Sequence, residues 1–443
     1  MSFSKNYKTY ELQTIKFIKK SISLNSKVTY WAKVDQAIKR ISQEYFFLLK
    51  VQGIKIVSLN STIQKVKCLA ITRQGFQCSR SVLTNKKYCF QHLQFDNTEN
   101  KLKNLSTKSI FSYKKKKKIT FIDLFCGAGG LSAGLIQAGL NPLFCIDKDL
   151  DSCTTLKANY KNVKVINKSV EAFNFLKFRN KVDIIVGGSP CQSFSQIGLR
   201  KGLLDSNGIA LLNFIKIIFC VLPKVFIIEN VKGLLSHNKG ITLDYILSLL
   251  SKDNIYDIET KLISMVDYGV PQKRIRFFII GSLKSLKLSF FPLPSLYEKQ
   301  TLEDVLINTP NSKGMEYSLK KKELFKNIPE GGCWINLPLE IQKSYLGKSF
   351  KSTGGKRGIL RRLSMKEPCL TLLCSPSQKQ TERCHPLYDR PLTIREYARI
   401  QTFPDNYLFS GNISSQYRQI GNSVPVLFSY QLGIHLLNLF NKL

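Results

Sequence analysis

Apolar runs and helix-like stretches alternate along the chain from Thr120 to about residue 281. The apolar runs have the pattern of strands, and two stretches between them have the pattern of helices; in chain order they are TFIDLF, LSAGLIQAGL (helix), PLFCID, LDSCTTLKANY (helix), VKVIN, VDIIVGG and VFIIEN. This alternation predicts an α/β fold with a doubly wound, mostly parallel sheet. Ligands of such a sheet bind where the strands end in loops.

Outside this segment the pattern changes. Residues 1–60 mix apolar and basic residues, and the lysine run at 114–118 is typical of a solvated linker, because like charges repel one another. From about residue 282 the alternation disappears and Lys, Pro and Gly become frequent. This change predicts a second, smaller domain.

Composition adds a partner class and a compartment. Lys and Arg number 67 against 30 Asp and Glu, a net charge of +37 that favours a polyanionic partner such as nucleic acid, although a lysine-rich proteome would give the same excess. The start MSFSKNYKTYELQ has no apolar signal-peptide core, and no window reaches the roughly 18 uninterrupted apolar residues of a membrane span. We therefore expect a soluble intracellular protein whose 12 cysteines are core residues, metal ligands or reactive thiols.

The first predicted strand leads into the glycine-rich loop DLFCGAGG, which precedes a helix. Glycines here allow the backbone to approach a ligand at a positive helix N-terminus. A dinucleotide fingerprint would need a third Gly where Ser132 stands, which counts against NAD. Asp147 ends the next strand, where a carboxylate binds ribose hydroxyls. The pair predicts a nucleoside-containing cofactor, with a purely structural glycine turn as the alternative.

The polar loop GSPCQSFS follows the strand VDIIVGG and places Cys191 in the same crevice. A buried core cysteine is the alternative, but Ser, Pro and Gln make a poor core. VFIIEN ends with the carboxylate of Glu229 at this edge, and YGVPQKRIR places Arg274 and Arg276 before another apolar strand. Near the C-terminus QYRQIGNSVPV supplies Asn422, followed by Ser423, before a closing helix.

Together these segments resemble the DNA (cytosine-5)-methyltransferases from residue 120 to the C-terminus. They stand in the family's order: FIDLFCGAGG, GGSPCQSFS, ENVKGLL, YGVPQKRIR, RPLTIREYARIQTFPD and QIGNSVPV. The resemblance implies a methyltransferase fold with a target-recognition domain, S-adenosylmethionine as cofactor and double-stranded DNA as partner. It also implies site-specific methylation of cytosine at carbon 5, as in a restriction–modification system.

The predicted roles follow from the reaction. Carbon 5 of cytosine is a poor nucleophile, so a thiolate must first add to carbon 6, and Cys191 is the candidate. Glu229 is placed to give a proton to ring nitrogen N3. The resemblance assigns Arg276 to the ring oxygen and Arg274 to support of the site. It assigns two further sets: cofactor-binding residues Phe125, Gly127, Gly129, Asp147, Pro190, Asn422 and Ser423, and the DNA-lip residues Gln192 and Ser195, where the flipped base would enter.

A separate cysteine cluster precedes the lysine run. Cys68, Cys78, Cys89 and His92 would supply three thiolates and an imidazole, a ligand set that suits structural zinc. The segment resembles the small Cys3His domains attached to nucleic-acid enzymes, and ordinary reduced cysteines are the alternative. Zinc is therefore a possible second cofactor.

These predictions divide the N-terminal part of the chain into a region of unknown role (1–60), a zinc-binding-like module (61–95) and a basic linker (96–118). The rest is divided into a catalytic and cofactor-binding domain (119–281), a target-recognition domain (282–415) and a C-terminal helix that returns to the catalytic domain (416–443). We expect a monomer in the cytoplasm, associated with the nucleoid, or in the nucleus if the source is eukaryotic. We expect a cognate restriction endonuclease as a functional partner that forms no stable complex with this protein.

Two other functions are alternatives to DNA methylation. An RNA cytosine C5 methyltransferase could share the fold, but the Cys-Phe-Thr signature of its DNA-like relatives does not occur here. A catalytically silent DNA-binding regulator is disfavoured because Cys191, Glu229 and Arg276 are intact, and a binding module needs no thiol in its pocket.

Overall fold

A computed structural model describes residues 118–189, 206–291, 293–351 and 356–443 of the protein. Within these ranges the strands are β1 (Thr120–Leu124), β2 (Asn141–Asp147), β3 (Val165–Asn167), β4 (Ile184–Gly188), β5 (Val225–Val231), β6 (Tyr256–Ser264), β7 (Gln272–Lys273), β8 (Ile275–Leu283) and β9 (Cys369–Leu370). Seven of them form one sheet in the order β3-β2-β1-β4-β5-β8-β6, and β7 pairs separately with β9.

The large sheet is mostly parallel, as predicted. Parallel pairing joins β1 to β2 and β4, β2 to β3, and β4 to β5. Strand β8 lies antiparallel between β5 and β6. The carboxyl ends of β1, β4 and β5 therefore meet at one edge, while β8 begins at that same edge and brings the residues before it there.

The helices of the described ranges are α1 (Gly130–Ala138), α2 (Leu150–Asn159), α3 (Ser206–Val221), α4 (Gly233–Ser236), α5 (Ile241–Ser251), α6 (Glu303–Leu306), α7 (Leu319–Lys326), α8 (Leu339–Leu346), α9 (Ile394–Ile400), α10 (Ile413–Asn422) and α11 (Val426–Phe440). Helices cover both faces of the sheet. Ile122 of β1 packs in a core with α3 and α5, whereas its neighbour Phe121 packs in the opposite core with α1 and α11. This alternation is the two-residue period of a strand buried on both sides.

Helix α11 returns to the sheet and packs closely on α1. A Cβ atom at Gly134 would lie 2.4 Å from Cβ of Ser429, and one at Gly433 would lie 2.6 Å from Cβ of Ala138, so glycine on each helix permits the close approach. The stretch Ile413–Phe440 is long and apolar enough to cross a membrane, but 67% of its 18-residue apolar window is buried inside the fold. A break after Asn422 divides it into α10 and α11, and the apolar side chains of α11 are used in the core.

The chain between β8 and α9 builds a second lobe. Among its described residues, short helices and 3₁₀ turns replace the regular alternation up to β9, in line with the composition change. A small core of its own includes Tyr317, Phe325 and Leu360. The buried Arg362 guanidinium donates hydrogen bonds to the carbonyl oxygens of Phe325 and Ile328, which fixes this lobe internally. The predicted domain boundaries remain predictions.

Candidate active site

The glycine-rich loop turns sharply after β1. Phe125, Gly127 and Gly129 have positive φ angles of 55°, 50° and 87°. A Cβ at Gly127 would meet nothing within 4 Å, whereas one at Gly129 would lie 2.4 Å from Leu156 Cδ1. Gly127 therefore borders open space that a ligand could use, and Gly129 is required for packing at the start of α1.

Asp147 at the end of β2 holds this loop in place. Its Oδ2 accepts a hydrogen bond from the Gly127 amide at 2.8 Å, and its Oδ1 accepts one from the Asp149 amide at 2.8 Å. Burial raises the pKa of Asp147, and these two amide donors lower it in part. Phe125 stacks on Phe214, with ring centroids 6.2 Å apart. The hydrogen bond between Gly127 and Asp147 thus connects the glycine-rich loop after β1 to the end of β2.

Asp123 of β1 lies beneath the loop and was not predicted as a site residue. It is fully buried; its Oδ2 accepts a hydrogen bond of 2.5 Å from Ser132 Oγ, and its Oδ1 has no partner among the described residues. Burial raises the pKa of Asp123 to about 7, although the Ser132 bond acts in the opposite direction. An acid inside the apolar run TFIDLF was the available sequence signal.

Glu229 and Arg276 form an ion pair at the same edge of the sheet. Arg276 Nε lies 2.8 Å from Glu229 Oε1, and both side chains are largely buried. In the β5–β8 ladder Glu229 faces Phe278 and Val231 faces Arg276, so the pair is diagonal on one face of the sheet. The antiparallel position of β8 thus brings together two predicted catalytic residues that are 47 positions apart in the chain.

The end of β4 adjoins this ion pair. Gly188 is the register partner of Glu229, and a Cβ at Gly188 would lie 2.9 Å from Glu229 Oε2. Asn230 Nδ2 donates a hydrogen bond of 3.2 Å to Ser189 Oγ, which ties the strand exit to β5. Pro190, Cys191, Gln192 and Ser195 follow directly and lie outside the described residues.

Arg274 is buried and donates to two backbone carbonyl oxygens, those of Leu372 at 3.3 Å and Ser423 at 3.1 Å. Its guanidinium therefore connects the segment at Leu372 to the turn at Ser423. The exposed Asn422 ends α10, and its Oδ1 accepts a hydrogen bond from Cys374 Sγ at 3.2 Å. The Ser423 hydroxyl donates to the Gln419 carbonyl oxygen at 2.7 Å.

The predicted zinc ligands Cys68, Cys78, Cys89 and His92 lie outside the described residues. Among the residues that are described, no group of three or more His, Cys, Asp or Glu side chains could hold a metal ion.

The mixed sheet, the glycine loop after β1 and the acid ending β2 define the α/β fold of the S-adenosylmethionine-dependent methyltransferases. A crystal structure of a DNA modification methyltransferase encoded within an Escherichia coli prophage has this fold, with a TM-score of 0.55 and 27% identity over 73% of this chain and 100% of that one. The family model of C-5 cytosine-specific DNA methylases matches residues 119–437, and the chain belongs to this family. The family predicted from the sequence is confirmed.

Curated relatives extend this similarity over most of their own length. The chain is 46% identical to the Type II methyltransferase M.Sau96I of Staphylococcus aureus, over 75% of this chain and 79% of the relative. It is 43% identical to the Type II methyltransferase M.Eco47II of E. coli, over 73% of this chain and 80% of the relative. The protein is accordingly a DNA (cytosine-5)-methyltransferase.

Proposed function

We propose that the protein methylates carbon 5 of cytosine at a specific double-stranded DNA sequence, as the modification enzyme of a Type II restriction system. The observation that carries the proposal is the Glu229–Arg276 ion pair beside Gly188, where the chain exits toward Cys191. The names of the bacterial relatives support the Type II assignment.

Cys191, Glu229 and Arg276 have separate roles in the proposed reaction. The Cys191 thiolate forms a bond to carbon 6 of the target cytosine, while Glu229 gives a proton to N3, so that carbon 5 becomes nucleophilic. Arg276 orients the Glu229 carboxyl, and we assign it to steady the ring oxygen of the cytosine. Loss of the proton from the methylated carbon 5 returns an electron pair to the ring, breaks the sulfur–carbon bond and releases Cys191.

The cofactor implied by the family is S-adenosylmethionine, which supplies an electrophilic methyl group when bound. The chain offers a fitting cradle, since within the described ranges Gly127 borders open space and the buried Asp123 Oδ1 has no partner. Asp147 keeps the loop amide oriented. We assign cofactor binding to the predicted set Phe125, Gly127, Gly129, Asp147, Pro190, Asn422 and Ser423.

A cytosine inside a duplex is out of reach of Cys191, so the target base must flip out of the helix. Gln192 and Ser195, in the loop that carries Cys191, are assigned to the lip through which it enters. The net charge of +37 supports binding to the DNA backbone. Because one chain holds both the catalytic edge and a second lobe, we propose that the protein acts as a monomer. We further propose that it acts in the cytoplasm and forms no stable complex with a restriction endonuclease.

The zinc module at Cys68, Cys78, Cys89 and His92 remains a proposal supported by its ligand types. We expect freshly purified, reduced full-length protein to contain close to one equivalent of zinc. Metal analysis that finds none would remove the module from the proposal and leave the methyltransferase assignment intact.

Cys191→Ala tests the reaction. Tritium transfer from labelled cofactor to duplex DNA should be lost, whereas binding of S-adenosylhomocysteine should persist because the thiol acts only on the base. A duplex with 5-fluorocytosine at the target should trap the wild-type protein covalently, because fluorine cannot leave as the proton does.

Sequencing methylated cytosines in DNA from expressing cells identifies the target site. Methyl transfer to RNA in preference to DNA would favour the RNA methyltransferase alternative. Methyl transfer by Cys191→Ala at the wild-type rate would overturn the covalent mechanism.

A further inference from the structure

Two buried glutamines, Gln272 of β7 and Gln401 at the end of α9, face each other across 129 positions of sequence, and the chemistry above uses neither of them. Gln272 Nε2 donates a hydrogen bond of 2.7 Å to Gln401 Oε1. Both side chains are fully buried. A buried amide pair of this kind is stable only when its remaining polar atoms also have partners.

Each glutamine uses its other amide atom on backbone groups. Gln272 Oε1 accepts a hydrogen bond from the Leu372 amide at 2.9 Å. Gln401 Nε2 donates to the carbonyl oxygens of Ile420 and Ser423, both at 2.8 Å. A chain of hydrogen bonds thus runs from the second lobe at Leu372 to the turn at Ser423.

The direction of this chain is fixed at both ends. The Leu372 N–H can only donate, so it requires the oxygen of Gln272; the carbonyl oxygens of Ile420 and Ser423 can only accept, so they require the nitrogen of Gln401. Each amide therefore orients the next. Arg274 donates to the carbonyl oxygens of the same two residues, Leu372 and Ser423, and reinforces the connection.

The two connected segments are also in direct contact. A Cβ at Gly421 would lie 2.1 Å from the Leu373 carbonyl oxygen, so the segment Leu372–Cys374 packs on the backbone before Asn422. Cys374 Sγ reaches Asn422 Oδ1. Tyr397 clamps the segment from α9, because its hydroxyl bonds both the N–H and the carbonyl oxygen of Leu373.

We infer that Gln401, oriented by Gln272, is a positioning residue for the cofactor: it holds the Ser423 carbonyl, and with it the turn that carries Asn422, in the place that the second lobe sets. The inference rests on the proposed role of Asn422 and Ser423 in cofactor binding. Loss of the Gln401 bonds releases this turn and weakens cofactor binding without touching Cys191 or Glu229.

Gln401→Met in the full-length protein tests the inference, because methionine has a similar volume but makes none of the three hydrogen bonds. We expect S-adenosylhomocysteine, measured by titration calorimetry, to bind roughly 5- to 30-fold more weakly, since one or two buried hydrogen bonds to the turn are lost. Gln272→Met should weaken binding less, because Gln401 keeps its own bonds to the turn. At saturating cofactor the kcat of both variants should stay close to wild type.

Gln431→Met is the matched control. Gln431 is equally buried and also makes three hydrogen bonds, to Leu296, Tyr268 and Leu427, but it lies in α11 away from the turn. It should lose a similar amount of thermal stability and keep wild-type cofactor affinity. Unchanged affinity in Gln401→Met, or equal weakening in Gln431→Met, would overturn the inference.

If Gln401→Met fails to fold, the same comparison between Gln272→Met and Gln431→Met decides the question. Failure of the wild-type protein itself to bind S-adenosylhomocysteine would instead contradict the proposed function.

Discussion

At the scale of single residues, the site depends on what the two oxygens of the Glu229 carboxylate contact. Arg276 occupies one carboxylate oxygen, and the missing side chain of Gly188 leaves room for the other. A carboxyl in this position can exchange a proton with a base held against the sheet edge. Gly127 also borders open space, which the proposed function assigns to the cofactor.

Replacing Glu229 by Gln should abolish proton transfer to N3 while the amide oxygen still accepts from Arg276. We expect the single-turnover rate of methyl transfer to fall roughly 100- to 10,000-fold, the usual contribution of general acid catalysis. Glu259→Gln is the control, because the Glu259 carboxylate accepts bonds from the amides of Phe290 and Phe291 and not from Arg276. A less than tenfold loss in Glu229→Gln would move the proton donor elsewhere.

Substitutions at Gly188 and Gly127 should distinguish an effect on the chemical step from an effect on cofactor binding. In Gly188→Ala the new methyl displaces the Glu229 carboxylate, so kcat should fall roughly 100-fold with little change in cofactor KM. In Gly127→Ala the methyl enters the open space, so cofactor KM should rise, and the positive φ should cost about 1 kcal/mol of stability. Steady-state kinetics at varied cofactor concentration measure both. A rise in cofactor KM in Gly188→Ala together with a fall in kcat in Gly127→Ala would contradict the assignment of Gly188 to the chemical step and of Gly127 to cofactor binding.

At the scale of elements, β1 carries a buried acid, Asp123, just before its last residue. Asp123 is buried between the glycine loop and α1, and its bond to Ser132 links the strand to the helix. Burial, partly offset by that bond, raises its pKa from 3.8 to about 7. The folded protein therefore holds this proton more tightly than the unfolded chain does.

The stability of the cofactor-free protein should consequently fall as the pH rises through this range. Between about pH 5.5 and about pH 8 we expect Asp123 to lower the free energy of unfolding by about 2 kcal/mol, measured by urea denaturation. Asp123→Asn should remove this component.

Asp183→Asn is the control for the pH experiment. Burial raises the pKa of Asp183, but bonds from Lys224 and Thr120 bring it below its ordinary value. Its contribution is therefore constant above about pH 5. Asp183→Asn should be less stable than wild type at both pH values, but the difference in unfolding free energy between the two pH values should stay the same. If that difference is also unchanged in Asp123→Asn, the assignment of the pH dependence to Asp123 is contradicted.

At the scale of the whole molecule, excess positive charge dominates. A net charge of +37 gives a long-range attraction to DNA that carries no sequence information by itself. Sequence reading must then come from a smaller number of contacts in the grooves.

Binding to DNA should therefore depend steeply on salt. For six or more phosphate contacts, raising the salt from about 50 to about 200 mM should weaken binding to unrelated DNA roughly 1,000-fold, measured by fluorescence anisotropy. The ratio of specific to unrelated binding should change much less. A shallow dependence would mean that most of the basic residues lie away from the DNA.

The sequence alone determined the local elements and the chemistry carried by their ends. The strands from TFIDLF to VFIIEN, the glycine loop, Asp147 and Glu229 could be predicted because strand periodicity and strand-end loops depend on near neighbours in the chain. The family followed from the order of six short motifs.

Only the tertiary structure decided how distant segments meet. The antiparallel insertion of β8 between β5 and β6, which pairs Arg276 with Glu229, depends on non-local contacts that no local pattern encodes. The same holds for the burial of Asp123 and for the Gln272–Gln401 pair, because a glutamine has the same sequence signature whether its amide contacts water or a partner 129 residues away.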